Sequence, residues 1–349
     1  MESFPWHDID GYSLRDLMLH LKHPAHDDFC LYEITSTLRR LNTLKTFELR
    51  TRGHDGSLSS RIVKDSAQSI HLPNIERITL EANSEMVVRF LDLVSFPTSV
   101  ETTLIPLGVV ERASILSTLL PWISKQSASA PVKRLSFTSS HHGDTTQLNV
   151  ARSLHTGHGE YLHLHINSLM QDATREILHG LEPGTVQVID VATVTPLSLR
   201  ADQLLVQTSL MCRNVTRIDT LPVNASNDAA GALAAILRRL LLPPTTTTSS
   251  PFPVLVTLNL LSLGQGVLSS RCTHSEDAQP YRIMPPTLAQ AIVDILIARQ
   301  EVGGTMPRVY VQEWTSPMSR FEQSVLEVVR TIPGALFLPA GTWGLPENI

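Results

Sequence analysis

The feature that most constrains this chain is a recurring triplet. An apolar or near-apolar residue is followed three and then five positions later by two more, usually just after a proline or small polar turn. The triplets are Leu44/Phe47/Leu49, Ile75/Ile78/Leu80, Val132/Leu135/Phe137, Val186/Ile189/Val191, Val215/Ile218/Thr220, Leu255/Leu258/Leu260 and Met306/Val309/Val311, with Ile332/Ala335/Phe337 as a weaker eighth. The last two members are two apart and so share one face of an extended strand. Each triplet therefore predicts a short strand, and the series predicts a repeat protein.

Between the strand signals, apolar residues fall at helical spacing, as in Val87, Phe90, Leu91 and Val94, or Ile115, Leu116, Leu119, Leu120 and Ile123. Further helices are expected near Ser36 to Leu41, Asp172 to Leu181, Asp202 to Met211, Asp228 to Leu241, Thr287 to Arg299 and Arg320 to Thr331, several with Ser or Asp near the start as caps. The long interval from Leu135 to Ile189 hides another unit, whose strand alternates through Leu162, Leu164 and Ile166, and Val100 to Ile105 adds a further strand after Pro97. The reading is an α/β chain, an irregular leucine-rich-repeat-like solenoid or horseshoe with a curved, mainly parallel sheet and outer helices. Residues 1–30 are expected as an N-terminal helical cap, 31–338 as the solenoid and 339–349 as a tail. Polar, proline-bounded insertions at 243–253 and 268–286 are expected to be mobile surface loops. A doubly wound α/β enzyme also alternates helix and strand, but the glycine-rich strand-to-helix turn it would need is not found.

Composition narrows the function classes. Hydrophobic residues at 42% plus 17 glycines among 349 residues approach the roughly 45–50% apolar share of folded domains, which excludes disorder across the whole chain. The net charge of −5 supplies no global basic field, so nucleic acid is not an expected partner. The start, Met1-Glu2-Ser3-Phe4-Pro5-Trp6-His7-Asp8, does not read as a signal peptide. No membrane association is expected either, because the richest apolar stretch, Ala229 to Leu242, is interrupted by Arg238 and Arg239. Three widely spaced cysteines, Cys30, Cys212 and Cys272, fit reduced thiols in the cytoplasm or nucleus.

The run Leu72-Pro73-Asn74-Ile75-Glu76-Arg77-Ile78-Thr79-Leu80, its following helix and Ser95-Phe96-Pro97-Thr98-Ser99 resemble the repeat region of the F-box and leucine-rich-repeat-like proteins of mushroom-forming fungi. The pattern is echoed at Ala130 to Phe137, Asn214 to Ile218 and Pro253 to Leu258, and covers about Leu31 to Leu338. The resemblance implies a solenoid that serves as the substrate-binding part of an F-box-type ubiquitin-ligase receptor, with a cullin-ligase adaptor as a partner. No F-box is recognisable: the Leu-Pro-acidic opening is only echoed by Phe4-Pro5-Trp6-His7-Asp8.

If the strands stack in register, the residues between the apolar positions share one surface, the concave one. Arg77, Arg134, Arg217 and Arg308 recur immediately before the middle apolar residue, with Thr46, Val188 and Thr257 in the other units. The neighbouring column carries Glu48, Thr79, Ser136, Asp190, Asp219, Asn259 and Tyr310, and the next Arg50, Glu81, Thr138 and Gln312. Planar guanidinium groups in a row would grip carboxylates or phosphates in bidentate fashion, which points to an acidic or phosphorylated protein or peptide ligand. The competing reading has the same arginines as solvated ion pairs with Glu48, Asp190 and Asp219. Arg77, Arg134, Arg217, Arg308, Asp190, Asp219, Tyr310 and Gln312 are the candidate partner-binding residues, with Trp314 beside Tyr310 as a further aromatic.

Histidine clusters between His141 and His165. His155, His158, His163 and His165 define a third reading, a metal-binding module, though their spacing matches no metal motif. His20, His23 and His26 read as a polar helix end, since Pro24 cannot continue a helix. No catalytic motif is found: there is no nucleophile elbow, phosphate loop or paired-cysteine site, and Gly264-Gln265-Gly266 reads as a turn. No cofactor, metal or enzymatic activity is therefore expected, and protein recognition is the function assigned from sequence.

Overall fold

All seven triplets fold as strands. Their alternating residues bury one side, and the first member is buried just ahead of the strand at Leu44, Ile75, Val132, Val186, Val215 and Leu255. The computed structural model describes residues 13–21, 27–51, 69–107, 112–139, 146–154, 160–166, 174–192, 201–221, 227–243, 251–260, 286–312 and 334–338. The protein is α/β, with a mostly parallel sheet and helices in about half of the connections between its described strands. It divides into two compact units, Met1–Val132 with Gln147–Glu182, and Lys133–Thr146 with Pro183–Ile349.

The first unit holds β1 (Asp16–Leu21), β2 (Thr46–Thr51), β3 (Ile70–His71), β4 (Arg77–Asn83), β5 (Val94–Ser95), β6 (Glu101–Leu107), β8 (Thr146–Ala151) and β9 (Glu160–Ile166). Its main sheet runs β1-β2-β4-β6-β9-β8, and the first four of these pairings are parallel. Register aligns Leu19, Leu49, Leu80, Leu104 and Leu164 in one buried row, and Leu17, Phe47, Ile78, Thr102 and Leu162 in the other. Each such large apolar side chain contributes about 1.5–3 kcal/mol of burial. The helices are α1 (Asp27–Leu38), α2 (Ser84–Leu93), α3 (Arg112–Ser129) and α4 (Thr174–Gly180). Helix α2 opens on Asn83, whose side chain accepts from the Glu85 amide at 2.9 Å, and Arg89 pairs with Glu85 one turn back at 2.6 Å. Its Met86, Val87, Phe90 and Leu91 are buried, and the Phe90 ring stacks on Phe47 with centroids 5.3 Å apart.

The second unit holds β7 (Arg134–Ser139), β10 (Val188–Ala192), β11 (Arg217–Leu221), β12 (Thr257–Leu260), β13 (Arg308–Gln312) and β14 (Ala335–Leu338). They pair in the order β7-β10-β11-β12-β13-β14, every pair parallel. Beside them, α6 (Asn227–Leu241) packs on both α5 (Ala201–Met211) and α7 (Pro286–Glu301). Helix α6 buries Leu233, Ile236, Leu237 and Leu240 and leaves Arg238 and Arg239 exposed, as an amphipathic core helix should.

One backbone rung recurs at the strand starts. The Lys45 carbonyl accepts from the Glu76 and Arg77 amides, Lys133 from Gln187 and Val188, Gln187 from Thr216 and Arg217, and Thr216 from Val256 and Thr257. The asparagine of the repeat pattern adds a second tie: Asn74 Nδ2 donates to the Asn42 carbonyl at 2.7 Å and Asn214 Nδ2 to Gly184 at 2.6 Å.

Three expectations change. Residues 1–30 contribute strand β1 rather than only a helical cap, because Leu17 and Leu19 alternate with Asp16, Met18 and His20 and extend the buried rows. Pairing also leaves chain order once, since β6 lies between β4 and β9 while β7 pairs with β10. Finally, the 243–253 insertion does not end as a surface loop, for Pro251 and Phe252 are buried. The fully buried Arg299 holds them: Nη1 donates to the carbonyls of Leu241 (3.0 Å) and Pro251 (2.8 Å), Nη2 to Phe252 (2.9 Å), and Nε to Thr305 (2.7 Å). Most of the 268–286 insertion, the helix expected at 320–331 and the tail at 339–349 lie outside the described residues.

Replacing Arg299 by Ala would strand these buried carbonyls, and we expect a loss of ~3–5 kcal/mol in unfolding free energy measured by urea titration. Arg299→Lys should recover less than half of it, because one ammonium cannot reproduce the planar fork.

Candidate functional site

Because side chains alternate along a strand, the residues between the buried rows of the first unit define an outward sheet face. Register places Asp16, Thr46, Arg77 and Glu101 in one row, Met18, Glu48, Thr79, Thr103 and His163 in the next, and His20, Arg50, Glu81 and Ile105 in a third. Charges there are interleaved. Arg77 Nη2 lies 3.0 Å from Glu101 Oε2, Arg50 Nε 2.7 Å from Glu48 Oε1 and Arg50 Nη1 3.6 Å from Glu81 Oε2. His20 Nε2 meets Glu48 Oε1 at 2.9 Å, which together with Arg50 holds the Glu48 carboxyl below its ordinary range against the opposing effect of burial. His163 contacts Asn149 at 2.9 Å through Nδ1 and Glu101 at 3.5 Å through Nε2. His165, two residues on, is pushed down by burial and by the neighbouring His163.

The equivalent rows of the second unit look alike in sequence and differ physically. Ser136, Asp190, Asp219, Asn259 and Tyr310 align across β7, β10, β11, β12 and β13, and all five are buried. Ser136 Oγ donates to Asp190 Oδ2 at 2.6 Å, and Asn259 Nδ2 donates to Asp219 Oδ1 at 2.6 Å. Arg134, with no exposed surface, sets Nε 2.9 Å from Asp190 Oδ2, and Arg217 sets Nε 3.1 Å from Asp219 Oδ2, both as ion pairs rather than aligned hydrogen bonds. Burial pushes Asp190 up to about 6; the Ser136 hydrogen bond opposes this and the charge of Asp219 adds to it. Asp219 is raised by burial too, against Arg217. Asp190 Oδ1 and Asn259 Oδ1 are buried without a hydrogen-bond donor among the described residues.

The eight candidate residues therefore separate. Arg77 is exposed and paired with Glu101 in the first unit, while in the second the buried Arg134 pairs with the buried Asp190 and the half-buried Arg217 with the buried Asp219. Arg308 is exposed, with no ion-pair partner among the described residues, and Tyr310 is buried rather than presented as an aromatic anchor. Gln312 ends β13 at the backbone level. Among the described residues none of the candidate arginines faces another across a strand pair, because Val188 and Thr257 intervene in the second unit and Thr46 and Glu101 flank Arg77 in the first. Asp190 and Asp219 are not solvated, which removes the surface-pair reading for them.

The structural arginines missed in sequence are the buried Arg299 and the half-buried Arg152; the latter lies 4.0 Å over the Tyr161 ring and donates to the Thr98 carbonyl at 2.6 Å. Their partners are mostly backbone carbonyls, which leave no trace in side-chain identity. His163 and His165 do share β9, whereas His155, His158 and Trp314 lie outside the described residues. Among the described residues no group of three His, Cys, Asp or Glu could hold a metal ion, and no helix is long and apolar enough to cross a membrane. No family model matches the chain, and no curated protein matches it.

Arg134→Gln, which leaves Asp190 buried without its cation, should cost ~3–5 kcal/mol. Arg77→Gln, which removes an exposed pair, should cost ~0–1 kcal/mol; equal costs in urea titrations would contradict the burial difference. Asp190 binds its proton more tightly folded than unfolded, so its stabilising effect is complete below pH 4 and is lost as pH rises through about 6. Relative to Asp190→Asn, the native chain should lose up to ~3 kcal/mol between pH 4 and 7. Parallel stability curves for the two proteins would refute this titration.

Proposed function

We propose that the chain is a protein-recognition scaffold that presents the outward face of the first unit's parallel sheet to a polypeptide partner. The observation that carries this reading is the exposure of that face among the described residues. Parallel sheets are normally buried on both sides, yet Met18 is 61% exposed, and the side chains of Arg50 and Arg77 are 49% and 59% exposed. Parallel sheets open on one side are characteristic of repeat solenoids, which use that side for binding. The recurrent rung at the strand starts favours the leucine-rich-repeat-like reading, whereas the β6–β9 pairing marks it as irregular.

On the resemblance to fungal F-box and leucine-rich-repeat-like proteins, the scaffold is the substrate-binding part of a ubiquitin-ligase receptor without a recognisable F-box. We place it in the cytoplasm or nucleus, on the odd number and wide spacing of its three cysteines.

A photo-crosslinking residue at Thr79 or Thr103, on the outward face, should capture polypeptides from native lysate in clear excess over one at Arg89 on α2. Equal capture from both sides would defeat the scaffold reading. Enrichment of the cullin-ligase adaptor in the same captures, quantified by mass spectrometry, would support the ligase connection; its absence would remove it.

A further inference from the structure

The charge on the outward face of the first unit says which kind of polypeptide it suits, and this step rests on the scaffold reading above. The face carries four carboxylates, Asp16, Glu48, Glu81 and Glu101, against two guanidinium groups, Arg50 and Arg77. Both arginines are already engaged: Arg50 lies between Glu48 and Glu81, and Arg77 is forked onto Glu101 through Nε at 3.1 Å and Nη2 at 3.0 Å. An incoming carboxylate or phosphate would have to displace an existing pair to reach either one. An incoming cation meets a different surface. Asp16 is exposed with no ion-pair partner among the described residues, Glu81 is reached only loosely at 3.6 Å, and the Glu101 side chain, though held by Arg77 and 3.5 Å from His163 Nε2, remains 38% exposed. Beside Asp16 and His20 on β1, Met18 offers an adaptable apolar contact at 61% exposure.

We infer that this face binds a basic, extended peptide segment whose lysine or arginine side chains meet Asp16, Glu81 and Glu101 and whose apolar side chain covers Met18. The arginine column then acts as spacing between carboxylates rather than as the gripping element. Charge complementarity of this kind sets partner choice and association rate more than raw affinity, and it is salt-sensitive.

The test uses the purified full chain and three fluorescein-labelled peptides of equal length and apolar content, one rich in Lys and Arg, one rich in Glu and one uncharged, read by fluorescence anisotropy. The basic peptide should bind about tenfold or more tightly than the acidic one and weaken steeply with added salt. Asp16→Asn with Glu81→Gln and Glu101→Gln should lower that affinity about tenfold, and Arg50→Gln with Arg77→Gln should raise it, each with an unchanged circular dichroism spectrum. The opposite responses of the two variants separate charge recognition from loss of fold. Preference for the acidic or the uncharged peptide, or no binding of the basic one, overturns the inference. The scaffold reading would still stand if Thr79 and Thr103 capture partners from lysate in excess over Arg89, and falls if they do not.

Discussion

The structure depends on one backbone arrangement, a carbonyl just ahead of a strand that accepts from two successive amides of the strand beside it. It recurs at Lys45, Lys133, Gln187 and Thr216. Buried backbone groups must be paired, and a parallel neighbour offers its amides in one order only. Once the rung is set, residue positions within the strands become common to the whole row. Apolar residues at matching positions then stack into continuous buried rows, and polar residues at matching positions are forced to meet. The asparagine ties from Asn74 to Asn42 and from Asn214 to Gly184 act on the same turn from the side-chain side.

That rule explains what was legible in the sequence. The triplets announce strands because the buried face recurs at fixed spacing, and the rows of aligned residues follow from the triplets without further information. Strand order was not legible where several strands share one pattern. Leu162 and Leu164 fit beside Thr102 and Leu104 as well as Leu135 and Phe137 would, so local sequence cannot choose between β9 and β7 as the neighbour of β6. Strand β8 escaped because Leu148 and Val150 form an alternation too short to stand out. The partner of Arg77 was hidden for a related reason, since Glu101 lies at the start of a strand recognised only weakly.

The same chemistry has opposite energetic meaning in the two units. On the outward face of the first, arginine and carboxylate pairs keep much of their hydration, and each contributes little to stability. In the second, Arg134 and Asp190 have lost theirs, and desolvation must be offset by their attraction and by the hydrogen bond from Ser136. Sequence could not separate these cases, because burial is decided by segments remote in the chain. An arginine column read from spacing alone therefore mixes an accessible surface with an internal network.

The internal network constrains register more tightly than apolar rows could. A one-residue slip of β10 against β7 would bring Asp190 opposite Leu135, and Ile189 opposite Arg134, taking Asp190 from its Ser136 partner and setting it against hydrocarbon. Apolar rows alone would tolerate a slip of two, since Ile189 and Val191 are interchangeable against their neighbours. A slip of two between β7 and β10 would separate Asp190 from Ser136 and Arg134, and one between β11 and β12 would separate Asp219 from Asn259. Leaving Asp190 buried without its cation costs several kcal/mol, a large share of the stability of a typical domain. Arg134, Ser136, Asn259 and the two buried aspartates thus select one alignment among several that hydrophobic burial leaves nearly equal, at a cost in desolvation that the first unit's exposed pairs do not carry.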